Sequence, residues 1–305
     1  MMKYQYLSNF PKIFLTMTGL RLDEFDDLVN EVRGLYQAAE VVRLSRPDRQ
    51  RGMGGGDHAE LSMRDQILLT VIWLRQYPTQ DVLGYFFGVS QATVSRYVEH
   101  VLPILEQDGR DRMRMPDPGR KRRRKLDELL KDLPDLAVVI DSFEQKIQRP
   151  KDPTERNTWY SGKKKTHTIK SQVAVDEETG EIVDIPDSVP GPTADIKLLE
   201  HSGLLDKLPD GLGSLGDSGY QGIDKLHPKG HSPRKKPRGK DRPPEDVAYN
   251  TAFSRRRIIV ENTNNRLRRY QSLNQTDRYH RQNHTQRVRA VAGLVNRQIR
   301  SRLIA

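Results

Sequence analysis

The feature that most constrains the fold is a change of texture at Pro134. Before it, apolar residues recur at helical spacing; after it, they come in short runs and alternations of strand type. Leu136 to Ile140 is a continuously apolar strand ending at Asp141. Lys165 to Val175 alternates, with Ile169 and Val173 in phase, and turns at Glu178-Thr179-Gly180 into Ile182 to Ile185, which predicts a hairpin. Ala194 to Leu205 reads as a helix. Leu212 to Leu215 reads as another short strand, running into Gly216-Asp217-Ser218-Gly219-Tyr220. Gly230 to Pro244 is rich in Pro, Gly, Lys and Arg and predicts a loop. Glu245 to Tyr270 then predicts one long helix with Phe253, Val260 and Leu267 on a stripe. Strand, hairpin, helix, strand and long helix make a mixed α/β domain.

The N-terminal half is all helical. Leu22 to Val42 carries Leu22, Phe25, Leu28, Val29, Val32 and Leu35 at amphipathic spacing, and a break at Gly52, Gly54, Gly55 and Gly56 follows. Ser62 with Asp65 forms a capping pair for a helix over Met63 to Gln76, ended near Pro78. Residues Gln80 to Val98 fit a helix-turn-helix: a small residue at Gly84, a turn at Phe87-Gly88-Val89 with Gly88 free to take positive φ, and Ser90 capping the second helix. That second helix would present Gln91, Thr93, Ser95 and Arg96 to base edges and phosphates. An ordinary helical hairpin is the competing reading.

The 305 residues permit one or two domains. Cysteine is absent, which excludes disulfides and thiolate metal sites. The longest apolar run, Ile67 to Leu74, falls far short of the roughly 20 residues a bilayer needs, and the N-terminus lacks a signal-peptide core. A soluble cytoplasmic or nucleoid-associated protein without membrane contact is the expectation. Residues 255–305 hold thirteen arginines and no lysine against two acids, Glu261 and Asp277, so they carry the entire formal excess of +11. Arginine's planar fork suits phosphate, and a polyanion partner follows; a solvated basic tail is the alternative. A further block of cations runs from Arg120 to Lys125. The expected organisation is a helical DNA-binding domain over 1–107, a basic linker over 108–133, an α/β catalytic domain over 134–275 and a basic C-terminal helix over 276–305.

Three acids stand where chemistry can use them. Asp141 ends an apolar strand, Asp217 follows a second strand between Gly216 and Gly219, and Glu261 lies on a helix with Arg257 at i−4 and Arg268 at i+7 on the same face. Singly, each has a structural reading, as a turn residue or an intrahelical ion-pair partner. Together they suit Mg2+ (or Mn2+), which takes hard oxygen ligands. A pair of ions about 3.5–4 Å apart stabilises the attacking and leaving oxygens of a phosphodiester. The eight histidines are scattered without metal-ligand spacing, and no GxSxG, P-loop or GxGxxG occurs.

The blocks VVIDSFEQKIQRP, WYSGKKKTHTIKSQVAVD, LGDSGYQG and YNTAFSRRRIIVENTNNRLRR resemble the catalytic domain of DDE-superfamily transposases of the insertion sequence five group. The helix-turn-helix resembles that family's DNA-binding region. The resemblance implies a ribonuclease-H-like α/β catalytic fold and Asp141, Asp217 and Glu261 as ligands of two divalent ions. It also implies binding to double-stranded DNA at terminal inverted repeats, strand cleavage, and joining of the freed 3′-hydroxyl to target DNA. Lys163, Lys164, Lys165 and Lys170 on the hairpin, with Arg257 and Arg268, are expected to hold phosphates. A homodimer or higher oligomer is expected, because two element ends must meet. Where the family often has a tyrosine seven residues before the glutamate, this chain has Ser254. The rivals are an endonuclease of the same fold that does not transfer strands, and a non-catalytic helix-turn-helix repressor.

Overall fold

A computed structural model of the chain describes residues 1–45, 59–120 and 133–304. The glycine-rich break at 52–56 and most of the cationic block, Lys121 to Lys125, lie outside the described residues. Two compact units are formed. The first comprises residues 1–111, 269–274 and 289–305, and the second residues 112–268 and 275–288.

In the first unit, α1 (Tyr4–Leu7), α2 (Pro11–Thr18) and α3 (Leu22–Leu44) precede α4 (Met63–Gln76), α5 (Gln80–Phe87) and α6 (Gln91–Arg112). The apolar run too short for a membrane is the centre of this unit: Ile67 to Leu74 of α4 are all buried. Ser62 caps α4, its Oγ accepting from Asp65 N at 3.2 Å and donating to the Asp65 carboxylate at 2.8 Å. The turn after α5 follows from two glycines. Gly88 adopts φ 72°, and a Cβ on Gly84 would stand 2.6 Å from Val89 O, so only glycine lets the chain reverse this tightly. Ser90 Oγ accepts from Thr93 N at 3.1 Å and starts α6.

The arginine-rich C-terminus is no solvated tail. It folds as α12 (His284–Ile304), whose residues from Arg289 onward belong to the first unit. Val291, Leu294, Val295 and Ile299 are buried there. Gly293 meets Gly109 of α6 backbone to backbone: a Cβ on Gly293 would lie 2.6 Å from the Gly109 Cα. The expected separate segment over 276–305 is thus divided between the two units.

The second unit is built on a sheet that, among the described residues, has seven strands: β1 (Ala137–Lys146), β2 (Tyr160–Ser161), β3 (Thr166–Asp176), β4 (Ile182–Asp184), β5 (Val189–Pro190), β6 (Gly213–Leu215) and β7 (Gly230–His231). Its order is β2-β3-β1-β6-β7, with β4 and β5 paired to β3. β1 runs antiparallel to β3 and parallel to β6, so the sheet is mixed. Around it lie α7 (Pro153–Trp159), α8 (Asp195–His201), α9 (Ile223–Leu226), α10 (Pro244–Arg268) and the first turn of α12; α11 (Gln271–Asn274) belongs to the helical unit. Val138 and Ile140 of β1 pack with Leu199 of α8, Tyr220 and Ile223. α10 runs against β1 and β3 and buries Phe253, Val260 and Leu267, the predicted stripe. This is a ribonuclease-H-like arrangement of a curled mixed sheet with flanking helices, preceded by an all-α helix-turn-helix region.

β1 does not stop at Asp141 but continues to Lys146, pairing Asp141 with Val173 and Lys146 with Thr168. The apolar run ends at Ile140 because burial changes from continuous to alternating, with Phe143 and Gln145 buried and Ser142 and Glu144 less so. Asp141 therefore sits mid-strand, paired to β3 on one side and two residues beyond the end of the pairing with β6 on the other.

Candidate active site

Asp141 lies where β1 passes α10. Asn264 Nδ2 donates to its Oδ2 at 2.8 Å, and Arg257 Nη2 stands 3.8 Å from its Oδ1. Burial pushes the Asp141 carboxyl above its ordinary range. The Asp217 charge adds to that push, and Arg257, Asn264 and the Ser142 backbone N–H offset it only in part. Asp217 follows β6, the parallel neighbour of β1, and caps a short 3-10 turn (Ser218–Tyr220) by accepting from Gly219 N at 2.8 Å. Neighbouring parallel strands thus bring these two aspartates into one electrostatic neighbourhood.

Glu261 stands apart. It is exposed on α10 and makes no hydrogen bond or ion pair among the described residues. The intrahelical pair with Arg257 does not form, because Arg257 turns to Asp141 instead. Glu261 nevertheless lies at i+4 from Arg257 and i−3 from Asn264, the two α10 residues that reach Asp141, so it shares their face of the helix. Among the described residues no three acids or histidines are gathered closely enough to hold an ion. Two of the three expected carboxylates are brought together, and the third flanks them.

The glycines around Asp217 serve a purpose other than ligand access. Gly216 is needed because a Cβ would strike the Tyr220 side chain at 2.5 Å. A Cβ on Gly219 would strike Asp195 Oδ2 at 2.5 Å and come within 3.0 Å of Asp217 Oδ1. These glycines make room for the protein's own side chains. Asp195, Ser142 and Asn264 escaped sequence reasoning. Asp195 reads as an ordinary acid in the first turn of a helix, and Asn264 as one polar residue among many on α10. Their only signal was position, Asn264 at i+7 from Arg257 and Ser142 next to Asp141.

The expected DNA contacts divide. Lys163, Lys164 and Lys165 are exposed in the turn between β2 and β3. Lys170 is not available to a phosphate: it is buried, its Nζ donating to Thr193 O at 2.5 Å and Asp195 Oδ1 at 2.8 Å. Its position inside β3, buried on both faces, requires that pairing. Arg257 is buried and turned toward Asp141, while Arg268 is exposed with its guanidinium 5.9 Å from the Phe143 ring. On α6, Gln91 and Arg96 are exposed and Ser95 is half-buried, donating to Glu99. Thr93 is buried, its hydroxyl beside Ser90 Oγ at 2.9 Å and Glu60 at 3.3 Å, so it serves the start of the helix rather than a base edge.

Part of the arginine excess is likewise internal. Arg256 forks onto Glu177 at 2.6 and 2.5 Å, Arg287 onto Asp277 at 2.8 and 2.6 Å, and Arg297 pairs with Asp108 at 2.8 Å and with Glu31. All three arginines are buried, so part of the positive charge of residues 255–305 holds the fold together and is withheld from any polyanion.

A strand-borne aspartate pair beside a helix carrying a glutamate, behind a helix-turn-helix, agrees with the sequence comparisons. Residues 140–296 match the family model described as DDE superfamily endonuclease, and residues 59–111 that described as helix-turn-helix of DDE superfamily endonuclease. The chain belongs to the DDE superfamily of endonucleases. It is 30% identical over 285 residues to the probable transposase for insertion sequence element IS702 of Microchaete diplosiphon, covering 93% of each chain. It is 24% identical over 262 residues to the candidate nuclease HARBI1 of Homo sapiens, covering 81% of this chain and 70% of the relative. No solved structure matches.

DDE superfamily endonucleases generally use divalent metals, and the residues gathered here would supply part of a ligand set for one. Asp141 and Asp217 offer hard carboxylate oxygens whose mutual repulsion a cation would relieve. The Oδ1 of buried Asn264, whose amide nitrogen already holds Asp141, has no hydrogen-bond partner. No helix among the described residues is long and apolar enough to cross a membrane.

Proposed function

We propose that the protein is a DNA transposase that binds the inverted repeats at the ends of its element, cleaves there and joins the freed 3′-hydroxyl to target DNA. The observation that carries this reading is the incompletely neutralised Asp141 on β1 within the field of Asp217, which follows the parallel neighbour β6, in a chain that also bears a helix-turn-helix. Asp141, Asp217 and Glu261 would hold Mg2+ or Mn2+, as two ions. Bound there, the metal supplies Lewis-acid stabilisation of the phosphodiester and lowers the pKa of an attacking water or hydroxyl. Asn264 and Arg257 hold the Asp141 carboxylate in place while Asp217 is fixed by its own turn. Lys163, Lys164 and Lys165 form the exposed cationic turn that suits a DNA backbone, with Arg268 near β1. Gln91 and Arg96 are exposed on α6 and would read DNA by exchanging their present bonds, Gln91 to Gln80 and Arg96 to Ala92 O, for contacts to it. Joining two element ends requires two active sites, which favours a homodimer or higher oligomer on DNA.

An endonuclease without strand transfer is the second reading, supported by the relative named as a candidate nuclease. Both readings use the same cutting residues. The test uses duplexes copied from the DNA flanking the gene, incubated with the protein, Mg2+ and a target plasmid. Covalent joining of labelled 3′-ends to the plasmid is the expected result. Cutting without joining would establish the second reading, and binding without cutting would leave only a repressor.

A further inference from the structure

Behind the two aspartates lies a polar hub that the cutting reaction does not itself explain. Asp195, the first residue of α8, accepts on its Oδ1 from Ser142 Oγ at 2.7 Å and from Lys170 Nζ at 2.8 Å. Lys170 also donates to Thr193 O at 2.5 Å, tying β3 to the chain entering α8. Ser142 follows Asp141 directly on β1. The other oxygen, Oδ2, backs onto Gly219, where a Cβ would stand 2.5 Å away, and Gly219 N is the group that Asp217 Oδ1 accepts from. One carboxylate therefore touches all three segments that fix the aspartate pair: β1 beside Asp141, β3 across from β1, and the turn that orients Asp217.

The chemistry of the hub fits bracing rather than ligation. Alternation along β1 sends Ser142 to the opposite face of the sheet from Asp141, so Asp195 approaches the pair from the α8 side and Glu261 from the α10 side. Asp195 has its own cation in Lys170, both being largely buried at 17% and 8% side-chain exposure. A third uncompensated carboxylate beside Asp141 and Asp217 would add repulsion; one neutralised by Lys170 adds only shape. The Tyr220 hydroxyl, wholly buried, faces Ser142 and these carboxylates without closing a hydrogen bond of ordinary geometry, a polar group aimed at the same place.

We propose that Asp195, paired with Lys170, is the positioning residue of this site: through Ser142 and Gly219 it sets the separation of the Asp141 and Asp217 carboxylates and thereby the affinity for a divalent ion. The inference rests on the reading of Asp141 and Asp217 as metal ligands. It adds that the glycine at 219 is required by Asp195, and that Lys170 serves the site from behind rather than a phosphate.

The test measures Mn2+ binding to the full chain by calorimetry, without DNA, and the Mn2+ dependence of cleavage. Asp195→Ala is expected to weaken Mn2+ binding about tenfold or more, with cleavage returning toward the parent rate at saturating Mn2+. Asp195→Asn keeps the Oδ1 acceptor and is expected to stay within about threefold of the parent, rescuing most of the loss. Should Asp195→Ala fail to fold, Ser142→Ala removes one strut and is expected to shift the Mn2+ requirement the same way by a smaller factor. A merely structural role would lower the active fraction equally at every Mn2+ concentration, and that result overturns the proposal. Parent-like Mn2+ binding by Asp195→Ala or, if that variant does not fold, by Ser142→Ala, while Asp141→Asn loses it, overturns this inference alone. Absence of Mn2+ binding by the parent, with Asp141→Asn cutting as well as the parent, removes the underlying reading of the site and this inference with it.

Discussion

Asp141 and Asp277 are both acids set against a sheet, each facing an arginine, and the protein treats them in opposite ways. Asp277 is gripped by Arg287 through two hydrogen bonds at 2.8 and 2.6 Å, with both side chains essentially inaccessible at 1% and 0%. Burial alone would raise that carboxyl, but Arg287 outweighs it and holds it below the usual range. Burial likewise raises Asp141, and here Arg257, 3.8 Å away, offsets it only in part while the Asp217 charge adds to the push, so the carboxyl ends above its usual range. A complete pair neutralises its charge and leaves nothing for a ligand. An incomplete one leaves negative potential that a cation can satisfy, which is how perturbed acids mark working sites.

The largest effect expected from this contrast is on cleavage. Asp141→Asn and Asp217→Asn should each reduce DNA cutting by about a thousandfold, at the upper end for loss of a group that stabilises transition-state charge. The urea unfolding midpoint of Asp141→Asn should not fall, because a raised carboxyl costs stability when ionised. Cutting at the parent rate by either variant would end the comparison.

Asp277→Ala should do the reverse. It strands Arg287 in the interior and is expected to cost about 3–5 kcal/mol in urea unfolding. A loss below about 1 kcal/mol would mean that water reaches Arg287.

Next in size is the pH dependence near that pair. His284 is buried between Gln145 Oε1 and Ser188 Oγ, each 2.9 Å from one ring nitrogen. Gln145 Nε2 donates to Gln275 O, so Oε1 is the acceptor and the neutral ring with its proton on Nε2 fits. Burial, helped by Arg287, lowers the ring to about 3. The unfolded chain then binds the proton first, so this contribution is complete above about pH 6.5 and falls as the medium is acidified toward pH 3. At pH 5 the loss is about 2 kcal/mol. Asp277 acts in the same direction below about pH 4, whereas Asp141 acts oppositely. Unfolding of His284→Gln compared with the parent between pH 7 and 5 measures it; parallel profiles would refute it.

The smallest effect belongs to exposed cations. Replacing Lys163, Lys164 and Lys165 by alanine should leave stability unchanged. It should flatten the salt dependence of DNA binding by about one unit of log–log slope for each phosphate that is no longer neutralised. An unchanged slope would remove this turn from the interface.

Patterns with a local cause were legible in advance. The α4 boundaries, the Gly84 and Gly88 turn, the β3–β4 hairpin and the α10 stripe each follow from neighbours within a few residues, through caps, positive φ and periodicity. The positions of Asp141 and Asp217 at the ends of apolar runs were visible too, Asp217 one glycine on, without knowing what lies beside them. The burial of Thr93 and Lys170 was not legible, since each is fixed by a partner distant in sequence, Glu60 for one and Asp195 for the other. Sequence counts a charge but does not say whether it is already paired. That is why thirteen arginines over 255–305 read as a polyanion surface although Arg256, Arg287 and Arg297 are internal ion-pair partners.

By itself, then, the sequence determined the helical half, the mixed α/β half and the segments bearing the acids, because hydrophobic period, turn chemistry and motif order are properties of contiguous residues. Only tertiary structure decided which charges meet. Parallel pairing of β1 with β6 set Asp141 beside Asp217, α10 laid Asn264 and Arg257 against Asp141 while leaving Glu261 in solvent, and the start of α8 carried Asp195 to Lys170 and Ser142. Electrostatic energy depends on separation and burial, and both are set when distant segments pack.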